Sequence, residues 1–179
     1  MPLSVIIYLD EKSDRIIRSI WKALYEGGVT TNCPVQEASP HISLAQLEET
    51  DPEKIKSRLK AFALYQKPVC LNFSHVGIFF LEESILFLAP TVTRELFELH
   101  AALHEEIDKW PAPSPHYLPG EWVPHCTLTF NIDPEKIGPA IKIVNRFSLP
   151  FPGCLERIAM IKHPPIKELY AYDLMKKES

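Results

Sequence analysis

Pro40-His41-Ile42-Ser43-Leu44 returns 84 residues later as Pro124-His125-Cys126-Thr127-Leu128. A second phrase, Asp-Pro-Glu-Lys-Ile, stands at Asp51–Ile55 and again at Asp133–Ile137, an offset of 82. Two histidines, each with a hydroxyl residue two positions on, therefore occupy equivalent places in two equivalent stretches of chain. Proline, histidine and hydroxyl are kept in both copies, whereas the residue between them drifts from Ile42 to Cys126. A duplication held only by packing would not keep those three and release the fourth. If the halves pack about a pseudo-twofold axis, both imidazoles face one cleft.

The flanks repeat as well. Ser4–Leu9 (SVIIYL) is a short apolar run that reads as a buried strand, and Ser84–Ala89 (SILFLA) matches it. Ile17, Ile20, Trp21 and Leu24 mark one face of a helix between Asp10 and Gly28. Val92, Leu96, Leu99, Leu103 and Ile107 do the same in the second half. Asp51-Pro52 and Asp133-Pro134 are N-caps with proline at the first helical position. They open helices with Ile55, Leu59 and Phe62, and Ile137, Ile141 and Val144, turned inward. Val69–Leu81, Cys154–Ile161 and Leu169–Leu174 complete the strands. The expected fold is α+β and bilobal. Two pseudo-twofold-related lobes would comprise residues 3–81 and 84–162, with a C-terminal strand at 166–175. Antiparallel sheets would line a central cleft, with helices outside.

In a strand the side chains at i and i+2 share a face, roughly 7 Å apart. His41, Ser43 and Ala45 should therefore point one way, and Ile42, Leu44 and Gln46 the other. Two such strands offer two imidazoles and two hydroxyls to one ligand. Histidine titrates near neutral pH, so one copy can serve as base while the other serves as acid. Ser43 and Thr127 are suited to hydrogen-bond phosphoryl oxygens. In-line displacement at phosphorus then needs no metal, and a 2′,3′-cyclic phosphate fits because the neighbouring sugar hydroxyl is itself the leaving group. Cys126, one residue from His125, should face the core rather than the substrate.

Two His-x-Ser/Thr motifs in tandem halves resemble the 2H phosphoesterase superfamily, in its 2′-5′ RNA ligase-like and 2′,3′-cyclic phosphodiesterase branch. The segment Trp122–Phe130 (WVPHCTLTF) is similar to the second family motif. The resemblance spans nearly the whole chain. It implies metal-independent cyclic-phosphate hydrolysis without a cofactor, His41 and His125 as the catalytic pair, and Ser43 and Thr127 as phosphate ligands. The residues alone leave open which imidazole is the acid; the resemblance assigns His41 as acid and His125 as base. The partner it implies is a nucleotide cyclic phosphate or a short RNA terminus, acted on by a monomer. Two alternatives stand beside it: RNA end processing such as 2′-5′ ligation, and a catalytically silent nucleotide- or RNA-binding module.

Other features bound the reading. Net charge is −4, with 19 Lys and Arg against 23 Asp and Glu, so no general attraction to long nucleic acid is expected. No apolar run approaches the ~20 residues of a membrane span. Cys33, Cys70, Cys126 and Cys154 show no metal-ligand spacing and read as buried thiols in a reducing, cytoplasmic setting. His100 and His104, four apart on a helix, read as a solvated face. In the proline-rich loop Pro111–Gly120, His116 and Tyr117 are candidates for a substrate-contacting rim. Trp122 is assigned to packing.

Overall fold

The structure, a computed structural model, describes residues 2–31, 38–47, 51–81, 84–107 and 114–175. In chain order it contains β1 (Leu3–Leu9), α1 (Glu11–Glu26), β2 (His41–Leu47), α2 (Pro52–Tyr65), β3 (Val69–Phe79), β4 (Ile85–Pro90) and α3 (Arg94–Ile107). A short 3₁₀ turn (Pro115–Tyr117) follows, then β5 (Cys126–Thr129), α4 (Pro134–Val144), β6 (Phe151–Lys162) and β7 (Lys167–Asp173). Among the described residues no helix is long and apolar enough to cross a membrane.

The repeated Asp-Pro-Glu phrase is the same helix start made twice. Asp51 and Asp133 each accept a hydrogen bond from the backbone N–H two residues on, at 3.1 Å in both. Asp10 caps α1 through Lys12 N and Ser13 N, and its other oxygen accepts from Cys154 N at 2.6 Å. The helix start is thereby tied to β6. Burial raises the Asp10 pKa, but the hydrogen bonds from Cys154, Ser13 and Lys12 outweigh it and hold the carboxyl below its usual range. On α4 the buried stripe is Ala140, Ile143 and Val144. Ile141, expected inside, is 41% exposed, because it lies about 100° round the helix from Ala140.

All strand pairs are antiparallel, and the path through the sheet runs β2-β1-β6-β3-β4-β5, with β7 added to β6. This order is symmetric about the β6–β3 pair. The expected sheets of two lobes are thus one continuous sheet, and each sequence repeat places its third strand beside the other's strands. At the centre Cys70 is registered opposite Cys154, and the two form a disulfide. They are 84 residues apart, the offset of the histidine motifs. This corrects the expectation of four buried thiols: Cys70 is exposed and Cys154 half-buried, their facing positions bring the sulfurs together, and the cysteine argument for a reducing compartment falls. Cys126 is a buried free thiol, and Cys33 lies outside the described residues.

Both motif strands carry a β-bulge just after the hydroxyl residue. Along β1, Val5 faces Ala45 and Ile6 faces Ser43, leaving Leu44 unpaired. Along β4, Leu86 faces Thr129 and Phe87 faces Thr127, leaving Leu128 unpaired. The extra residue resets the alternation. Ala45 is therefore in the core and Gln46 on the side of His41 and Ser43, the reverse of simple period-2 counting.

The main core joins the sheet to all four helices, with Ile17, Ile20, Leu24, Leu59, Leu99 and Leu103 packed on Ile42, Leu44, Leu128 and Ile158. A smaller cluster of Ile6, Ala159 and Ile161 lies on the other side of the alternation. His100 and His104 belong to the core, at 1% and 7% exposure, and are not a solvated face. Both donate Nε2–H to the Leu44 carbonyl at 3.1 Å, satisfying the bulge. Burial and the neighbouring His104 pull the His100 pKa down to about 4, against the raising effect of the Leu44 and Tyr117 backbones.

An unfolded histidine binds its proton near pH 6.5, whereas folded His100 resists it until about pH 4. The unfolded chain takes up the proton first, so stability is held above pH 6.5 and lost as pH falls towards 4. The urea midpoint should drop between pH 7 and pH 5, and the drop should be smaller in His100→Gln.

Candidate functional site

His41 begins β2 and His125 immediately precedes β5, each behind a proline. Each Nδ1–H donates to the carbonyl two residues earlier: His41 to Ser39 and His125 to Val123, both at 2.7 Å. The same local loop thus selects the same tautomer twice and leaves Nε2 as the lone-pair nitrogen. His41, Ser43, His125 and Thr127 all line one cleft of about 540 Å³, within the usual range for small-ligand sites. Each is half-buried.

Burial lowers the His41 pKa below its ordinary value, against the Ser39 carbonyl, which raises it; His125 and His163 lower it further. Burial likewise lowers His125, against the Val123 carbonyl. The rings are also braced by aromatics. Phe79 meets His125 edge-on at 4.9 Å, Phe87 lies 5.4 Å from it, and Tyr8 is edge-on to His41 at 6.4 Å.

Two tryptophans cross between the repeats to hold the motif backbones. Trp21 of α1 donates its indole N–H to the Thr127 carbonyl at 3.0 Å, and Trp122 donates to the Ser43 carbonyl at 2.9 Å. Trp122 also stacks flat on His100, with centroids 3.9 Å apart and an interplanar angle of 2°. Tyr117 shares a hydrogen bond with the Ser43 side chain, and burial raises its pKa while Ser43 pulls the other way. Ser43 and the bulge after it are therefore gripped by residues of the second half: Tyr117, Trp122, His100 and His104. Cys126 is fully buried, and burial pushes its thiol up to about 12, so it is no nucleophile at neutral pH.

A family model described as the 2′-5′ RNA ligase superfamily matches residues 6–164. The chain belongs to that superfamily. No curated protein sequence matches it significantly. Among solved structures, TT0787 of Thermus thermophilus is similar with a TM-score of 0.66 at 17% identity, covering 99% of this chain and 100% of that one. LigT of E. coli in its apo form gives 0.61 at 16% identity, covering 98% of each. Usb1 of Kluyveromyces marxianus gives 0.51 at 11% identity, again covering 98% of each. These likenesses are of fold.

Within the superfamily's fold, the candidates read from the sequence divide plainly. His41, Ser43, His125, Thr127 and Tyr117 line the cleft, and Tyr117 also contacts the Ser43 side chain. His116 is exposed and does not line it. Sequence reading missed Ser4, Gln46, Phe130, Lys136 and His163, which all do. Gln46 and Phe130 stand 84 apart and were detectable as a repeat pair, but the bulges that turn them into the cleft were not. His163 shares a hydrogen bond with the Ser4 hydroxyl at 3.0 Å, a contact across 159 residues that no local pattern announces. Lys136, on the first turn of α4, is the only Lys or Arg among the described residues lining the cleft. Among the described residues no three of His, Cys, Asp and Glu converge as a metal-binding group.

Trp122→Phe keeps an aromatic ring beside His100 but leaves the Ser43 carbonyl without its donor. An orphaned buried acceptor costs roughly 1–3 kcal/mol. Urea denaturation should read a loss of that order, and Trp21→Phe should show a comparable loss through Thr127.

Proposed function

We propose that this protein is a metal-independent phosphoesterase that hydrolyses 2′,3′-cyclic phosphates of nucleotides or RNA ends by paired-histidine acid–base catalysis. One observation carries the reading: both imidazoles are anchored through Nδ1 in the same way, so both present Nε2, and both stand with a hydroxyl residue in one cleft. Superfamily membership supports it. So do the solved complexes of E. coli LigT with phosphate, 3′-AMP, ATP and NADP+, which are nucleotides and a phosphate held by a protein of this fold.

In the proposed step Ser43 and Thr127 hydrogen-bond the non-bridging phosphoryl oxygens. Neutral His125 takes a proton from water at Nε2 as the water oxygen bonds to phosphorus. The P–O3′ bond breaks in line, and protonated His41 gives its Nε2 proton to the departing oxygen. The product is a 2′-phosphate with a free 3′-hydroxyl, and the two histidines exchange protonation states, to be reset through solvent. The only charge the protein must create is one imidazolium, which the bound phosphate monoanion favours. Joining RNA ends through a 2′-5′ bond would use the same two histidines. The single lysine among the described cleft residues and the chain's negative net charge favour a short substrate over a long RNA.

Hydrolysis of the four nucleoside 2′,3′-cyclic monophosphates in EDTA tests the proposal. Wild type should turn over, and His41→Ala and His125→Ala should each lose about 10²- to 10⁴-fold in kcat, the usual worth of a positioned general acid or base. Activity abolished by EDTA and restored by a divalent metal would sink the metal-independent mechanism. Folded wild type that binds these nucleotides without turnover would make the cleft a binding module.

The pH profile follows from the two lowered imidazoles. The base must be neutral and the acid protonated, so kcat/KM should be bell-shaped. Both groups titrate below 6.5 in the free protein, so the maximum should lie on the acid side of pH 6.5 and fall through neutrality. An optimum well above pH 7 would contradict this.

A further inference from the structure

β3 pairs with β6 over Val69–Phe73 only, and from Ser74 onward its sole strand partner among the described residues is β4. The equivalent stretch of β6 is flanked on both sides, by β1 and by β7. The equivalence follows from the motif hydroxyls. Ser43 faces Ile6 and Thr127 faces Phe87, so Ile7 matches Leu88 and Val5 matches Leu86. Ile158 and Met160, which face Ile7 and Val5, therefore correspond to Val76 and Ile78, which face Leu88 and Leu86. Their burial differs. Ile158 and Met160 are fully buried, with Tyr172 and Tyr170 of β7 registered opposite them. Val76 and Ile78 pack against the same core and remain half-buried. Beyond them Phe80 and Leu81 are 79% and 61% exposed. The open side of β3 is thus the place that β7 fills in the other repeat.

The other strand edges are defended. On β2 the carbonyls of Ser43, Leu44 and Gln46 accept from Trp122, from His100 and His104, and from Ser114 N. On β5 Trp21 occupies the Thr127 carbonyl. β7 carries Lys167, Glu168 and Asp173, and charges disfavour pairing at an edge. β3 has none of these defences, since Val69–Leu81 contains no Lys, Arg, Asp, Glu or Pro. A strand that pairs with its own copy sets like residues near like, which a charged edge resists and this one does not.

We propose that β3 pairs antiparallel with β3 of a second copy, forming a twofold dimer in which one sheet runs through both chains. The axis passes through Ile78, which places Val76 opposite the partner's Phe80 on the same face. In that register the apolar row meets its own copy, as Ile158 and Met160 meet the tyrosines of β7, and Phe80 is covered. The family resemblance implied a monomer, and the undefended edge is the reason to depart from it. The interface borders the cleft without entering it: Phe79, on the opposite face of the strand, meets His125 edge-on at 4.9 Å.

Sedimentation equilibrium at micromolar concentrations compares wild type with Phe80→Lys and with Leu64→Lys, which alters an exposed residue on α2. Wild type should reach twice the 20.5 kDa chain mass. Phe80→Lys should raise the dimer dissociation constant roughly tenfold or more, because a lysine at a paired edge opposes strand addition. Leu64→Lys should dimerise as wild type does. Phe80 is exposed, so at dilutions where both proteins are monomeric the Phe80→Lys melting temperature should stay near the wild-type value. Hydrogen exchange locates the contact: amides of Ser74–Phe79 should exchange more slowly as protein concentration rises. A monomer throughout would leave the edge to a strand of another protein and overturn the proposal. A mass climbing past the dimer, protection confined to residues outside β3, or a dimer that Phe80→Lys leaves intact would each overturn it too.

Discussion

The antiparallel pairing of β3 with β6 is the contact on which the other arrangements rest. Each strand comes third in its own repeat yet pairs into the other's strands, and their junction is the centre of the six-strand path. Residues 70 and 154 face each other there as a disulfide, 84 positions apart, the same offset that separates the histidine motifs. Once the centre is set, symmetry places β1 opposite β4 and β2 opposite β5. The two histidine motifs then occupy the ends of the path, and β2 and β5 pack against each other to share a cleft. Neither repeat could build a three-strand half by itself.

The second constraint is the tautomer. A neutral imidazole can be a donor or an acceptor at either nitrogen, and catalysis needs the choice made in advance. Here a carbonyl two residues back makes it for both rings at equal distances. Burial then lowers the pKa of both rings and so favours their neutral form. The bulges at Leu44 and Leu128 add a further element. They break the ladder beside the motif and free carbonyls, which the core groups Trp21, Trp122, His100 and His104 occupy. The backbone that carries Ser43 and Thr127 is thereby fixed from behind, leaving their side chains to the cleft.

That support is unequal. The first motif receives Tyr117, Trp122 and two histidines from the second repeat, whereas the described hydrogen bond to the second motif's backbone is that of Trp21. The two histidine–hydroxyl motifs are alike in the two repeats, whereas the residues that support them are not.

Much of this was readable from short-range pattern. Caps at Asp51 and Asp133, the buried faces of α1 and α2, and the strand that begins at His41 with its counterpart just after His125 all follow from local chemistry, which is why they were legible. Failures occurred where a long-range contact overrode a local one. Period-2 counting put Gln46 in the core because a bulge is a property of two paired strands and not of one. His100 and His104 looked solvated because polarity alone does not reveal that a bulged carbonyl needs two donors. Cys70 and Cys154 looked like separate thiols because strand exchange, invisible in either repeat, sets them face to face. The sequence by itself determined the two histidine–hydroxyl motifs, their repetition and the helices that frame them, since these depend on residues close along the chain. Only the tertiary structure decided which side chains share the cleft and on which side, because pairing register, bulges and the β3–β6 junction are made by residues far apart.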